Sequence, residues 1–179
     1  MNSLSAEERG ALRESVHRLL IDECSEGAVR ATMETDAGYD PELWHKLGEM
    51  GVIGLIVDEA QGGSGVGPME LEAVMEEVGA ALLCSPLLAS GVIAAELISA
   101  LGDDQLNDRL LPRIATGSAI VTAAITGEAG SWTAGGVTVS AQKVLVLQEA
   151  QEQERQWQLD GNASYVLHGQ NADTLIVIA

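Results

Sequence analysis

The spacing of apolar residues changes after Gly117, and this change constrains the fold more than any other feature of the sequence. Before Gly117, apolar side chains recur every three or four residues, as in Leu12, Val16 and Leu19, which is the spacing of one buried helix face. After it come short runs rich in β-branched residues, separated by Gly, Asn and Asp, which are typical of strands. We therefore predict an α+β fold, with an N-terminal all-α helical domain over residues 1–118 and a partial antiparallel β-domain over residues 119–179.

Residues that favour helix starts appear at several points of the first part. Ser5 stands three residues before Glu8, as in a capping box. Asp40 precedes Pro41, and this pair is a strong signal for a helix start. The Asp side chain can accept hydrogen bonds from the free amides of the first turn. Pro suits the first helical position because an amide there would have no partner within the helix. Further helices are predicted at Glu26–Glu34, from Pro68, from Pro86 to about Ala100, and from Asp103 to about Thr116, with a bend at Pro112.

The β-prone runs after Gly117 predict the strands of the second part. They read AIVTAAIT, GVTVSA, KVLVLQ, QWQLDG, SYVLHG and TLIVIA. Asp160-Gly161 is typical of a tight turn between two of them. The sequence stops on LIVIA, and an unpaired apolar strand is an aggregation hazard. We therefore expect more protein beyond this strand, further along the same gene or on a partner chain.

The glycine-rich stretch Gly62–Gly67, GGSGVG, lies between an apolar run and a helix, as phosphate-binding loops do. It lacks the lysine of a P-loop, and Pro68 stands where the dinucleotide motif requires its last glycine. Glu70 and Glu72 at the start of the following helix also disfavour a bound anion. The glycines therefore predict a turn that lets two helical elements approach closely.

Charge and composition restrict partners and location. The formal net charge is -18, from 9 basic and 27 acidic residues, so we expect no nucleic acid among the partners. The N-terminus lacks the apolar core of a signal peptide, and the longest apolar segment, from Ala81, includes Pro86 and Glu96, so we expect no membrane span. These features predict a cytoplasmic protein. Cys24 and Cys84 are far apart with no CxxC, so neither a metal site nor a disulfide framework is expected.

No residue of the sequence is assigned a catalytic role. The carboxylates of Glu76 and Glu77 are interpreted as a solvated helix face, and Glu96 as a structural or exposed residue, because a carboxylate within an apolar helix is costly unless it is paired or lies at an end. The three histidines, His17, His45 and His168, form no triad with a serine at any recognisable spacing.

Long parts of the chain resemble the acyl-CoA dehydrogenases. Residues 39–88, YDPELWHKLGEMGVIGLIVDEAQGGSGVGPMELEAVMEEVGAALLCSPLL, are similar to the family's N-terminal helical domain. There a Trp-containing helix, a Gly-Leu-x-Val-x-Glu run, a GGxGxG turn and a Glu-Glu-x-Gly helix end occur in this order. The stretch RLLPRIATGSAIVTAAIT resembles the passage into the family's β-domain, and QWQLDGNASYVLHGQNADTLIVIA the strand pair after it. The resemblance covers nearly the whole chain.

The resemblance implies a flavin enzyme that desaturates a fatty-acyl or steroid-side-chain thioester of CoA between the α and β carbons. In the family a carboxylate base removes the α proton and the β hydride passes to FAD, which lies between the β-domain and a C-terminal helical bundle. The base comes from that bundle, which this sequence does not contain. The substrate implied is therefore an acyl-CoA, and the cofactor implied is FAD.

Two groups of residues correspond by position to the family's flavin contacts. Those on the first strand and the following loop are Ala123, Ile125, Thr126, Gly130 and Ser131, and those on the run that covers the flavin ring are Tyr165, Val166 and Leu167. The sequence departs from the family at both places. Thr126 to Ala129 reads Thr-Gly-Glu-Ala where the family usually has Thr-Glu-Pro-Gly, and Leu167 stands where the common Trp-Ile-Thr run has a hydroxyl.

Small residues in the helix after Pro86 are expected to line the acyl cavity. The substrate contacts predicted from them are Ser90, Gly91 and Ala94, since small side chains leave room for a bulky acyl group. The apolar last strand and the apolar segment after Ala80 predict a homo- or hetero-oligomer with a chain that carries the helical bundle.

Two hypotheses about function remain open at this point. In the first, the chain is the N-terminal part or a short subunit of an acyl-CoA dehydrogenase. In the second, it is a truncated or non-catalytic relative that has lost flavin binding and acts as an interaction subunit. A neighbouring reading frame that encodes the helical bundle with a suitable carboxylate would favour the first hypothesis.

Overall fold

A computed structural model describes residues 3–145 and 155–179. The α-helices are α1 (Ala6–Glu23), α2 (Glu26–Met33), α3 (Pro41–Glu49), α4 (Pro68–Ala80), α5 (Ala95–Leu101) and α6 (Asp104–Ala115). A π-helix (Leu87–Ala94) runs directly into α5, and 3₁₀ turns lie at Glu59–Gln61, Ala134–Gly136 and Gly169–Asn171. The strands are β1 (Val121–Ala124), β2 (Ser140–Leu145), β3 (Arg155–Asp160) and β4 (Thr174–Val177). The predicted α+β class is therefore confirmed.

The predicted helix starts are confirmed at their caps. Ser5 and Glu8 form the capping box of α1: the Ser5 hydroxyl accepts from the Glu8 amide, and the Glu8 carboxylate accepts from the Ser5 amide at 2.9 Å. The Asp40 carboxylate accepts from two amides in the first turn of α3, directly before Pro41. The helix expected from Pro86 begins instead as a π-helix, whose wider turn brings a face of small residues against β1.

The apolar core lies where α1, α3, α4, α5 and α6 meet. Its fully buried side chains include Val16, Leu47, Val74, Ile98 and Ile114, which belong to these helices in that order. The Trp44 side chain is also buried, and its indole Nε1 donates to the carbonyl of Gly117 at 3.0 Å. This bond ties α3 to the point where the chain leaves the helical part. Among the described residues, no helix combines the length and apolar character needed to cross a membrane.

Two glutamates of α4 are buried at its contact with α1. The interpretation of Glu77 as a solvated residue is wrong, because α1 packs across α4 and brings Arg13 and His17 to its carboxylate. Glu70 is completely buried and accepts bonds from the amides of Leu4 and Gly67. The solvated interpretation holds for Glu76, which remains about half exposed. Glu96, interpreted as either structural or exposed, is exposed.

The glycine stretch is a structural turn, as predicted. Gly62 and Gly65 have φ of 80° and 61°, which side chains rarely adopt. A Cβ at Gly63 would lie 2.1 Å from the carbonyl oxygen of Val57. The chain therefore folds back on the preceding apolar turns at a distance that only glycine permits.

Within residues 3–145 and 155–179, the strands form two separate pairs of opposite kind. β2 and β3 are antiparallel, with Ala141 opposite Leu159, as the predicted β-domain requires. β1 and β4 are parallel, with Val121 opposite Thr174, so the expectation of antiparallel pairing is wrong for this pair. A clamp joins the starts of both strands, as the parallel direction requires. Asp173 accepts from the Ile120 amide through its carboxylate at 2.9 Å and donates its own amide to the Ile120 carbonyl at 2.8 Å.

Three further expectations about the β-part are also wrong. Of the run GVTVSA, only the last two residues lie in a strand, at the start of β2. The run SYVLHG is not a strand, because Tyr165 and His168 adopt positive φ and turn the chain. Asp160-Gly161 therefore does not join two strands, although Gly161 does turn the chain at the end of β3 with φ of 132°. The run KVLVLQ begins within β2, and its last three residues lie outside the described part of the chain.

Candidate functional site

A shallow depression lies where β1, the π-helix and the turn at Tyr165 meet. Its lining residues are Ile93, Thr122, Ala123, Ile125, Thr126, Trp132, Tyr165 and Leu167. Five of them, Ala123, Ile125, Thr126, Tyr165 and Leu167, are among the flavin contacts predicted from the sequence. The cavity volume is about 10 Å³, which is about the space of one water. The depression is therefore one wall of a site and does not enclose a ligand by itself.

The threonines of β1 and the segment after it hold the Tyr165 turn in place. The Thr122 hydroxyl donates to the carbonyl of Leu167 at 2.7 Å, and the Thr126 hydroxyl donates to the carbonyl of Ser164. The Ser164 amide returns a bond to the Thr126 carbonyl at 2.9 Å. Both threonines are almost fully buried. Their hydroxyls thus serve the protein's own turn, and polar contacts to a ligand must come from other groups.

Aromatic and aliphatic side chains are exposed around the depression. Tyr165 is 76% exposed, Trp132 is 62% exposed and Leu167 is 40% exposed. Gly130 packs closely against the Tyr165 ring. A Cβ added at this glycine would lie only 3.2 Å from Cε2 of that ring. The rim of the depression is therefore an exposed apolar surface with two aromatic faces.

Two other predicted flavin contacts lie beside the depression. The Ser131 hydroxyl is bonded to the Thr133 hydroxyl at 2.9 Å and packs against Gly136. Val166 is half-buried and packs against Gly169. Both residues therefore belong to the segments that shape the rim.

The three predicted substrate contacts are buried on the inner face of the π-helix. The Ser90 hydroxyl accepts from the Val121 amide at 3.1 Å. A Cβ at Gly91 would lie 2.8 Å from the carbonyl oxygen of Ile53, and Ala94 is completely buried. The small residues let the helix approach β1 and the Ile53 segment closely, and Ile93 is the residue of this helix that reaches the depression.

Ile93, Thr122 and Trp132 line the depression but are not predicted from the sequence. Trp132 directly follows Gly130-Ser131, and an aromatic residue in a glycine-rich loop could have indicated a binding surface. Thr122 bonds the turn from within a buried strand, and Ile93 depends on the π-helical turn. Neither position follows from a regular helix or strand period.

His168 directly follows the residues that line the depression from the Tyr165 turn. Burial lowers its pKa, and a hydrogen bond with the Ser85 backbone acts in the opposite direction. Its ring meets the Tyr39 ring edge to face, with centroids 6.4 Å apart. Burial therefore favours the neutral imidazole, whose ring packs on the helical part of the protein.

The wall fits one side of a bound flavin by its chemistry. A flavin ring is planar and aromatic, with an apolar dimethylbenzene half and a polar pyrimidine half, and an exposed aromatic face with apolar neighbours matches the face of such a ring. The match is partial, because Leu167 offers no hydroxyl and the hydroxyls of Thr122 and Thr126 are already bonded. The residues present therefore suit the cover of a flavin ring, and most polar recognition must come from backbone groups or from another segment.

Comparison with known proteins identifies relatives among the acyl-CoA dehydrogenases. The sequence profile of the family described as acyl-CoA dehydrogenase, N-terminal domain, matches residues 6–118. Acyl-CoA dehydrogenase IpdE2 of Mycobacterium tuberculosis is 39% identical over 115 residues, which cover 64% of this chain and 35% of that protein. The chain thus matches about a third of the length of this curated relative.

Solved structures share the fold over almost the whole chain. The ChsE4-ChsE5 complex from Mycobacterium tuberculosis matches with a TM-score of 0.79 and 26% identity, over 98% of this chain and 44% of that one. A glutaryl-CoA dehydrogenase from Mycobacterium smegmatis in complex with FADH2 matches with a TM-score of 0.79 and 21% identity, over 97% of this chain and 42% of that one.

Proposed function

Because the chain belongs to the acyl-CoA dehydrogenase family, we propose that it forms the helical domain and one flavin-facing wall of an enzyme that desaturates acyl-CoA thioesters at the α and β carbons. The acyl group is proposed to be a fatty-acyl chain or a steroid side chain. The proposed domain boundary is at residue 118, with the helical domain at 1–118 and the partial β-domain at 119–179. FAD, when bound, supplies the hydride acceptor for this reaction.

The observation that carries the proposal is the convergence of two distant segments on one surface. Ala123, Ile125 and Thr126 lie about 40 residues before Tyr165 and Leu167, yet all five line the same depression. Residues that only complete a protein core would be buried, whereas Tyr165 presents most of its side chain to solvent next to Trp132. An exposed aromatic face supported by buried threonines is suited to a planar ligand.

Each group of residues has a proposed role toward FAD. Ala123, Ile125 and Thr126 would border the ring from β1 and the residues after it, and Gly130 and Ser131 would border it from the following loop. The turn residues Tyr165, Val166 and Leu167 would cover it, with the Tyr165 ring as the apolar face. None of the carboxylates in residues 1–179 is proposed as the catalytic base, which the resemblance places on a C-terminal helical bundle.

The role proposed for Ser90, Gly91 and Ala94 toward the acyl-CoA is indirect. Their buried contacts with Val121 and Ile53 fix the π-helix against β1. The position of Ile93 at the edge of the depression depends on that packing. The three small residues would thus shape the acyl cavity through the helix that they hold.

The proposed assembly is a homo- or hetero-oligomer in which a chain with the helical bundle completes the site, in the cytoplasm. The exposed apolar rim supports this proposal, since such surfaces on soluble proteins are usually covered by a partner or ligand. The ChsE4-ChsE5 structure, which is that of a complex, also supports an assembly of more than one chain. Light scattering at micromolar concentration tests it, and a stable monomer would contradict it.

The second candidate function is a non-catalytic interaction subunit that binds no flavin. Leu167, where the resemblance has a hydroxyl, is the observation that favours it. It differs from the first candidate in one property, which is FAD binding by the assembled protein.

Equilibrium dialysis with FAD tests the proposed wall directly. This chain is mixed with a chain that carries the helical bundle, and Tyr165→Ala is compared with Trp157→Ala, an exposed aromatic of β3. Loss of an aromatic contact worth about 0.5–1.5 kcal/mol should weaken FAD binding about two- to tenfold in the Tyr165 variant. The Trp157 variant should bind like the unmodified chain. Absence of FAD binding in the unmodified mixture would favour the interaction subunit.

A further inference from the structure

The turn from Tyr165 to His168 has an unusual backbone. Tyr165 and His168 have φ of 56° and 51°, in the left-handed region that residues other than glycine rarely adopt. Such residues persist only where the surroundings fix them, and they cluster at functional sites. The contacts that hold this turn therefore determine where the Tyr165 side chain points.

One side of the turn is held by β1 and the residues after it, and the other side by the helical part. On the first side, Thr122 and Thr126 bind the carbonyls of Leu167 and Ser164. On the other side, the His168 ring contacts the loop before α3, through Tyr39. The turn is thus fixed between two parts of the protein.

Ring contacts continue from His168 into the helical core. The Tyr39 ring meets the Trp44 ring edge to face, with centroids 6.4 Å apart and an interplanar angle of 79°. The Trp44 indole in turn donates to the Gly117 carbonyl. Two consecutive ring contacts, from His168 to Tyr39 and from Tyr39 to Trp44, therefore connect the turn with a buried tryptophan of α3.

Neighbouring side chains support the ring of His168. Its Nδ1 lies 3.4 Å from Nδ2 of Asn171, and the same amide nitrogen donates to the Ala37 carbonyl at 2.6 Å. Gln170 donates to the carbonyl of Asp36 at 2.7 Å. These bonds dock the residues after the turn on the loop that carries Tyr39, so the two rings face each other in a fixed arrangement.

We propose that His168 is a positioning residue for the flavin-facing wall: its ring, packed on Tyr39, fixes the Tyr165–Leu167 turn relative to the helical domain. The inference rests on the proposed function, because it names what sets the geometry of that wall. Without the ring contact the turn keeps its bonds to Thr122 and Thr126, but its link to the helical part is weakened to the bonds that Gln170 and Asn171 make beyond the turn. The Tyr165 ring then samples several positions, and a planar ligand meets a less ordered surface.

The first test uses the full chain and amide NMR signals of Val166 and Leu167, which report the turn without any ligand. His168→Asn keeps a residue that tolerates positive φ but removes the imidazole ring. Tyr39→Leu removes the other ring, whereas the separate variant Tyr39→Phe keeps an aromatic ring at this position. His45→Asn, at an exposed histidine of α3, is the matched control.

We expect His168→Asn and Tyr39→Leu to shift the Val166 and Leu167 signals in the same direction, and the double variant to shift them no further than the larger single change. Tyr39→Phe and His45→Asn should leave them near their original positions. In the unmodified chain these signals should also titrate with the imidazole at a midpoint below 6.5, and this step should be absent in His168→Asn. The groups facing the ring are the Tyr39 phenol, the Ser85 backbone and the Asn171 amide.

The second test measures FAD affinity of the assembled protein for the same variants. His168→Asn should weaken FAD binding about three- to tenfold, and His45→Asn should leave it unchanged. Unchanged Val166 and Leu167 signals in His168→Asn, or additive shifts in the double variant, would overturn the inference. Shifted signals in a protein that binds no FAD in any form would uphold the positioning role and overturn the proposed function.

Discussion

Arg13 of α1 donates a hydrogen bond of 2.6 Å to Glu77 of α4, whose side chain is only 9% exposed. His17, one turn further along α1, contacts the other oxygen of the same carboxylate at 2.7 Å. The two helices therefore meet through a carboxylate that water barely reaches. Removing one of the partners while α1 stays in place would leave this buried charge incompletely compensated, which is costly.

Glu77→Gln should lower the melting temperature of the chain. The amide cannot accept charged bonds from Arg13 and His17 as the carboxylate does, and its NH₂ group faces donors. Glu72→Gln, at an exposed position of the same helix, is the matched control and should have little effect. Equal melting temperatures of the two variants, measured by circular dichroism at pH 7, would contradict the role of Glu77 in docking α1.

The same contact predicts how stability depends on pH. Hydrogen bonds from Arg13, then those from His17, lower the pKa of Glu77 below its usual 4.5. A carboxyl group with a lowered folded-state pKa contributes stability above the unfolded-state value, and this contribution is lost as pH falls through the folded-state value. Melting temperatures between pH 6 and 2.5 should therefore fall more steeply below 4.5 in the unmodified chain than in Glu77→Gln. Parallel curves would show that Glu77 is not the group responsible.

Glu70 should contribute in the same acid range. Burial alone would raise its pKa, but bonds from backbone amides, including those of Leu4 and Gly67, and from Arg9 outweigh burial and lower it. Both carboxylates thus stabilise the packing of α1 on α4 more strongly in their charged form than in their protonated form. The melting temperature at acid pH therefore reports on the contact between α1 and α4.

Two glycines provide a matched test of close packing. Gly91→Ala places a methyl group 2.8 Å from the Ile53 carbonyl oxygen, so it should destabilise the chain by about 1–3 kcal/mol. Gly79→Ala, in α4, meets no atom within 4 Å and should stabilise by about 0.5–1 kcal/mol because alanine favours helix. Urea unfolding of both variants measures the difference. Two stabilising substitutions would contradict the close approach of the π-helix to the Ile53 segment.

Asp173 should be required for the parallel pairing of β1 and β4. Asp173→Ala removes the acceptor of the Ile120 amide, which is buried, and should cost about 1–3 kcal/mol. Amide exchange at Ile120 and at position 173, whose amides form the clamp, should also become faster. Asp108→Ala, at an exposed position of α6, is the control. Unchanged exchange in Asp173→Ala would mean that the strand pair does not depend on this clamp.

Local signals in the sequence predict the helices and their caps well, because a cap involves residues only a few positions apart. Ser5 with Glu8 and Asp40 with Pro41 are examples. The burial of Glu77 is not predictable in this way, because its partners Arg13 and His17 lie 64 and 60 residues away and nothing in the sequence links them. A helix period alone assigns such a carboxylate to solvent.

The β-part is predicted less well because strand pairing depends on contacts between distant segments. The parallel β1–β4 pair begins at a bond between Ile120 and Asp173, which are 53 residues apart. Val166 and Leu167 favour strands, so the sequence predicts a strand there, whereas bonds from Thr122 and Thr126 hold these residues in a turn. The resemblance to a family supplied most residues of the depression, which no spacing rule would have brought together.

The most direct measurement of the central claim is acyl-CoA oxidation by the purified chain. The chain is assayed with an artificial electron acceptor, with and without added FAD, and then again with a chain that carries the helical bundle. Because this chain is proposed to supply one wall of the site and no base, and a general base typically contributes a factor of about 10²–10⁴ in rate, it should be colourless and inactive alone. It should gain the visible spectrum of flavin only with the bundle-bearing chain. A yellow protein that oxidises acyl-CoA without any partner would contradict the claim.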